Sequence, residues 1–310
     1  MRPNLLLSWI LLCFAAAFAT ADAAAQQPAR IAGRIVAARV RGPVTATTAT
    51  DKTPRPLRDN DTLAENATVN TGAGASATLV FSNGAVLNLG ADSTLAIEEF
   101  LQDPFDRDIA VGDLKEEPST SVTRLNLSRG ELVGNVKHLH AERGSAFTVN
   151  TPVGVAGIRG TTFRIVFRPD ASGKVFFTLS TADGTVVLQH GEAKQEVPVS
   201  TGKEVVVTVE ATVDPVTGAV TITSAPVVGE AQTMSAESQA TIATAVQQIV
   251  EDASAVIIKS TGTTTTGQPT DTGDAGKKDE GDTTKDNTPA TPDPTTPSSN
   301  TTPGDGRSGS

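Results

Sequence analysis

Asn150-Thr-Pro-Val-Gly-Val-Ala-Gly-Ile-Arg-Gly-Thr-Thr-Phe-Arg-Ile-Val-Phe167 is the stretch on which the fold turns. Pro152 fixes its own φ and pushes Thr151 towards an extended conformation. Gly154, Gly157 and Gly160 offer places where the backbone can turn or approach a neighbour closely. From Phe163 the chain alternates, with Phe163, Ile165 and Phe167 on one side and Arg164 and Val166 on the other, the period of a half-buried strand. The stretch reads as a tight crossing followed by a strand. Thr151, Pro152, Gly157, Ile158, Arg159, Gly160 and Thr161 are its key residues, structural or in contact with a ligand.

Short strands surround it. Residues 77–89 read as a hairpin, with Leu79 and Phe81 on one face and Asn83-Gly84 as a type I′ turn. Leu95 and Ile97 begin another strand, and 102–121, charged and carrying Pro104 and Pro118, reads as a surface loop or an excursion. Leu125 and Leu127 resume the alternation, Arg129-Gly130 reads as a turn, and 132–136 as the return strand. Downstream, Asp183-Gly184 is a second hairpin dipeptide, Val205, Val207 and Val209 alternate, and 214–218 is a turn. These signals predict an all-β domain over 30–228: a sandwich, a roll or a short solenoid of many short strands. Over 229–259 the pattern changes to a helix, with Ser235 as N-cap, Ile242, Val246, Ile249, Ala253 and Val256 on one face, and Gly262 as the stop. The preferred reading is a helix docked on the sheet; a partner-binding helix is the alternative. From Ser260 no large apolar residue occurs, and 260–310, rich in Thr, Pro and Asp, is expected to be a disordered tail.

Two stretches resemble the FecR domain, named for a periplasmic iron-dicitrate sensing regulator. One is Phe147-Thr-Val-Asn-Thr-Pro152 followed by Val155-Ala-Gly-Ile-Arg-Gly-Thr-Thr-Phe163. The other is Val69-Asn-Thr-Gly72, Ala75-Ser-Ala-Thr-Leu-Val-Phe81 and Asn83-Gly-Ala-Val-Leu-Asn-Leu89. The family usually has Asp before that turn glycine and Gly-Asp before the preceding strand, where this chain has Asn83 and Asn60-Asp61. The resemblance covers about 31–200. It implies an extracytoplasmic domain of a signalling regulator that also carries a membrane helix and a cytoplasmic segment contacting a sigma factor. This chain opens instead with an export signal, so the sigma-regulator role is not expected to carry over.

That signal occupies residues 1–25: Arg2, an apolar run from Leu5 to Ala19, and small residues at 19–21 and 23–25, with the mature protein expected to begin between Asp22 and Gln26. The mature chain then has no transmembrane segment and is periplasmic, at the cell surface or extracellular. Cys13, the only cysteine, lies within the signal and follows Leu12, which does not suit an acylation site. No disulfide framework, thiolate nucleophile or Cys-based metal site is therefore expected. A net charge of −10 argues against non-specific nucleic-acid binding by the whole chain.

Candidate chemistry is sparse. His138 and His140 fall on the same side of an extended stretch, a weak metal signal. Neither a Gly-x-Ser-x-Gly elbow nor a phosphate loop is present. The reading is a non-enzymatic exported binding, sensing or surface-assembly module without cofactors, with an unidentified protein or glycan partner in the envelope. Arg159 is the most pointed residue: it either caps carbonyls at the crossing, the preferred reading, or grips an anion. Residues 120–174 carry eight basic and three acidic residues. Arg124, Arg129, Arg164 and Arg168 therefore form a possible face for an anionic partner, which gives the alternative of a glycan-binding protein.

Overall fold

The computed structural model describes residues 29–170, 174–214 and 220–260. The expected signal, the tail beyond Ser260, the helix stop at Gly262 and most of the 214–218 turn lie outside them. The described residues form an all-β body with one α-helix near their C-terminal end.

Two sheets stack face to face. The first runs, by pairing, through Arg55–Pro56, Val44–Thr47, Thr68–Thr71, Thr94–Gln102, the first part of Ser121–Asn135, Ala146–Thr151, Gly154–Ile158, Thr185–His190 and Gln195–Ser200. The second runs through Thr62–Leu63, Ile35–Arg41, Ser76–Phe81, Val86–Leu89, the second part of Ser121–Asn135, Thr162–Pro169, Lys174–Asp183 and Lys203–Val213. The ladders between these strands are antiparallel, except where Ala146–Thr151 runs parallel to 122–126.

The sheets are linked by strands that bend from one into the other at a residue with positive φ. Gly42, Gly74, Asp92, Gly160, Gly184 and Gly202 each stand between two consecutive strands that belong to different sheets. Ser121–Asn135 makes the same bend at Gly130 without interruption. A left-handed residue re-aims the chain sharply at one position, and glycine does so without a Cβ penalty. At Gly130, φ is +105 and a Cβ would overlap Ser93, so only glycine fits.

The backbone at these positions and at Asn83-Gly84 corrects three expectations. Arg129-Gly130 does not reverse the chain; 130–135 continues into the second sheet and pairs with 162–167. Asp183-Gly184 is a corner rather than a hairpin, because Lys174–Asp183 and Thr185–His190 lie in different sheets. Asn83-Gly84 does form a hairpin, but not of type I′, since only Gly84 (φ +88) is left-handed. Its N–H donates to the Phe81 carbonyl at 2.9 Å, and the Phe81 N–H donates to the Ala85 carbonyl, a turn closed by a glycine bulge.

Between the sheets lies the core. Phe81, Phe163, Phe167, Phe177 and Leu79 come from the second sheet, and Phe147, Val149, Leu95, Ile97 and Ile158 from the first, all essentially inaccessible. Each such side chain contributes about 1.5–3 kcal/mol. Phe100 and Phe147 meet Phe81 edge to face, with ring centroids at 5.2 and 6.5 Å.

A second apolar cluster lies on the outer face of the second sheet. The helix Ala236–Ser254 lies there, its Ser235 cap accepting from the Ser238 N–H at 3.2 Å. Ile249, Ala253 and Val256, with Ala245, pack with Val80, Val86 and Val133 of the sheet. Val246, expected on the inner stripe, is only half-buried. The helix ends at Ser254, and Ile257–Ile258 then pairs with Ile109–Ala110. The 102–121 segment is therefore not the expected surface loop: Phe105, Ile109 and Val111 are buried in the same cluster, apolar anchors within a charged stretch.

Candidate functional site

On the outer face of the first sheet, side chains line up in rows across four strands. Register places Thr148, Gly157, Val187 and Pro198 in one row and Asn150, Val155, Gln189 and Glu196 in the next but one, with Arg159 one residue beyond the end of the Gly154–Ile158 strand. With Ala146 and Thr185, these residues, apart from Asn150 and Pro198, line a trough of about 680 Å³. Gly157 lies at its floor because it has no side chain: a Cβ there would meet only the Val187 carbonyl oxygen, at 3.8 Å.

Local sequence explains the shape. Pro152-Val153 closes a hairpin between Ala146–Thr151 and Gly154–Ile158, so Thr-Pro turns the chain within one sheet. Thr151 Oγ1 accepts from the Gly154 N–H at 3.2 Å and donates to the Gly154 carbonyl at 2.8 Å. The crossing comes later, at Gly160, with φ +64 and His138 Cα 3.0 Å from where a Cβ would stand. Gly157 has no such φ. Ile158 points into the core at 1% exposure, and Thr161 is buried beside the corner.

Arg159 is exposed at one end of the trough and, among the described residues, makes no hydrogen bond and no ion pair. The preferred carbonyl-capping reading of Arg159 finds no bond to support it. At the other end, Glu196 Oε1 accepts from Gln189 Nε2 at 2.7 Å. Beyond Thr148 and Asn150 the same face carries a polar ladder. Glu98 accepts from Asn126 at 3.0 Å and from Asn150 at 2.8 Å, and Arg124 pairs with Glu99.

The four arginines read as one anionic-partner face are divided by the corner at Gly130. Arg124 lies on the first sheet. Arg129 stands at the corner with Asp92 and Arg168 in a small cleft. Arg164 and Arg168 lie on the second sheet, both bound to Glu131, at 2.7 and 3.0 Å. Arg164 is also covered by the start of the helix and donates to Ser238 Oγ at 3.1 Å. A single basic strand face is therefore not formed, because consecutive outward residues face different sides of the molecule once the strand has bent.

Sequence reading missed Glu117, which is 1% exposed. It accepts from Ser121 Oγ at 2.6 Å, from the His140 N–H at 2.7 Å and from Ser145 Oγ. Asn83 donates to Ser121 Oγ and Thr123 Oγ1 in the same network. The neutral Ser and Thr partners gave no signal of a buried carboxylate. His138 is exposed, and His190 sits in a different strand; among the described residues no group of three or more His, Cys, Asp or Glu is placed to hold a metal ion. No helix among the described residues is long and apolar enough to cross a membrane.

Residues 67–187 match the family model described as FecR protein. Both sequence segments that resemble the family fall within it. Two crystal structures of a proposed anti-sigma factor from Parabacteroides distasonis ATCC 8503, at 1.65 and 2.50 Å resolution, are similar at 15% identity and a TM-score of 0.33. The match covers 50% of this chain and 58% of theirs. No curated protein matches.

Proposed function

We propose that the protein is an exported, non-enzymatic FecR-like module that recognises an envelope ligand or partner through the outer face of its first sheet. The observation that carries this reading is Arg159: an exposed guanidinium with no partner among the described residues, at the end of a trough floored by Gly157. A guanidinium free of internal partners keeps its donors for a carboxylate or another anion. Export is supported by Arg2, the apolar run from Leu5 to Ala19 and the small residues that follow. The basic strand face on which a glycan reading depended has no counterpart here, since Arg124, Arg164 and Arg168 are paired and divided between the sheets.

Co-sedimentation with a washed envelope fraction tests the reading. The wild-type chain should sediment with the envelope, and Arg159→Ala and Gly157→Val should remain in solution while staying folded, with melting temperatures within a few degrees of the wild type. Full retention of binding by both variants would overturn it.

A further inference from the structure

We propose that the trough takes an extended, zwitterionic peptide of about five residues, its carboxylate on Arg159 and its ammonium group on Glu196. This rests on the reading of the trough as a binding face. Arg159, one residue past the end of the Gly154–Ile158 strand, is four residues from Val155, and Glu196 lies in the row of Val155 through Gln189. At the rise of a strand, four residues are about 13 Å, and two strand spacings of about 4.8 Å set Glu196 to the side, so it lies roughly 16 Å from Arg159 on the diagonal. An extended peptide of about five residues spans that length. The trough is thus electropositive at one end and electronegative at the other, which favours a ligand with its charges separated in the opposite sense and disfavours a dianion.

Between the charged ends the lining is small and apolar. Gly157, Val155, Val187 and Ala146 accept short side chains, and the Thr148 and Thr185 hydroxyls and the Gln189 amide offer hydrogen bonds to a backbone. Phe147 is the only aromatic residue at the trough, and its ring is buried in the core at 1% exposure, so no aromatic face is available to stack on a sugar ring. The peptide would lie across side chains on a closed sheet face, with specificity set by its two termini. Glu196 has its Gln189 bond on Oε1, which leaves Oε2 for an ammonium group.

Amide chemical shifts of the full chain, titrated with penta-alanine, its C-terminal amide and its N-acetyl form, test this. Penta-alanine should move the Gly157 and Val187 amides. Either cap should weaken binding about tenfold, the effect of losing one charge-assisted hydrogen bond. In Arg159→Ala the C-terminal amide and the free acid should bind alike, and in Glu196→Gln the N-acetyl form and the free amine should bind alike. Equal affinity of capped and uncapped peptides for the wild type would overturn the proposal. So would envelope binding that persists, and still depends on Arg159, while none of the three peptides moves these amides; that result would leave the binding face standing.

Discussion

Arg159 and Arg164 stand five residues apart in one motif and come to opposite ends. Between them lies the corner at Gly160, so Arg159 projects from the first sheet and Arg164 from the second. The second sheet's outer face is used internally. The helix covers Val80, Val86 and Val133, while Arg39 donates to the buried Asp252 from Nε at 2.7 Å and Arg164 holds Glu131 and Ser238. Among the described residues no helix lies over the trough on the first sheet's outer face, and the trough's floor is a glycine. The side of a corner on which a residue lies, rather than its type or its neighbours in sequence, decides whether it serves the fold or is left for contact.

The comparison breaks most completely beneath the first sheet. Ile158→Asp places an unpaired carboxylate in the core at a position with 1% exposure, and the domain should not fold, as circular dichroism at 25 °C would report. The two glycines of the motif separate corner from face. Gly160→Val combines a left-handed backbone with a close approach to His138 and should cost about 2 kcal/mol or more in denaturant melts. Gly157→Val, with neither problem, should cost less than about 1 kcal/mol, within the range of a tolerated surface change.

The smallest effect lies where the chain leaves the helix. Asp108 accepts from Lys259 Nζ at 2.8 Å and from the Ser260 N–H at 2.9 Å, and these bonds, with Lys259 first, hold its pKa below the usual carboxylate value. A depressed folded pKa gives stability that is present above the unfolded value, about 3.9, and is lost as pH falls through the folded one. Amide exchange at Ile257 and Ile258 should therefore rise below about pH 4 in the wild type, and Asp108→Asn should remove that rise.

Much of the fold was legible because alternation and left-handed residues leave marks in sequence. The strand from Phe163 follows the expected period, and Ile158 and the Phe residues of that strand are buried as their spacing implies. Corners were misread as hairpins because both need a residue in the same backbone conformation. Asp183-Gly184 and Asn83-Gly84 look alike locally, and only long-range pairing tells a bend between sheets from a reversal within one. The same ambiguity hid the division of the arginines. Glu131 gave no sign that it would hold two of them, since its partners lie 33 and 37 residues away. The trough was invisible because it is made by the absence of a side chain at Gly157, seen only when four strands are set side by side.

The paired thermal melt of Arg159→Ala and Arg164→Ala tests most directly the claim that one outer face is spent on the fold and the other left free. Arg164 is 8% exposed in its side chain and bound to Glu131 and Ser238. Its loss should cost about 2 kcal/mol, the scale of a hydrogen bond to a charged group, and lower the melting temperature by roughly 4–8 °C. Arg159→Ala should melt within about 1 °C of the wild type, as an exposed residue without partners should. A fall for Arg159→Ala as large as that for Arg164→Ala would contradict the account.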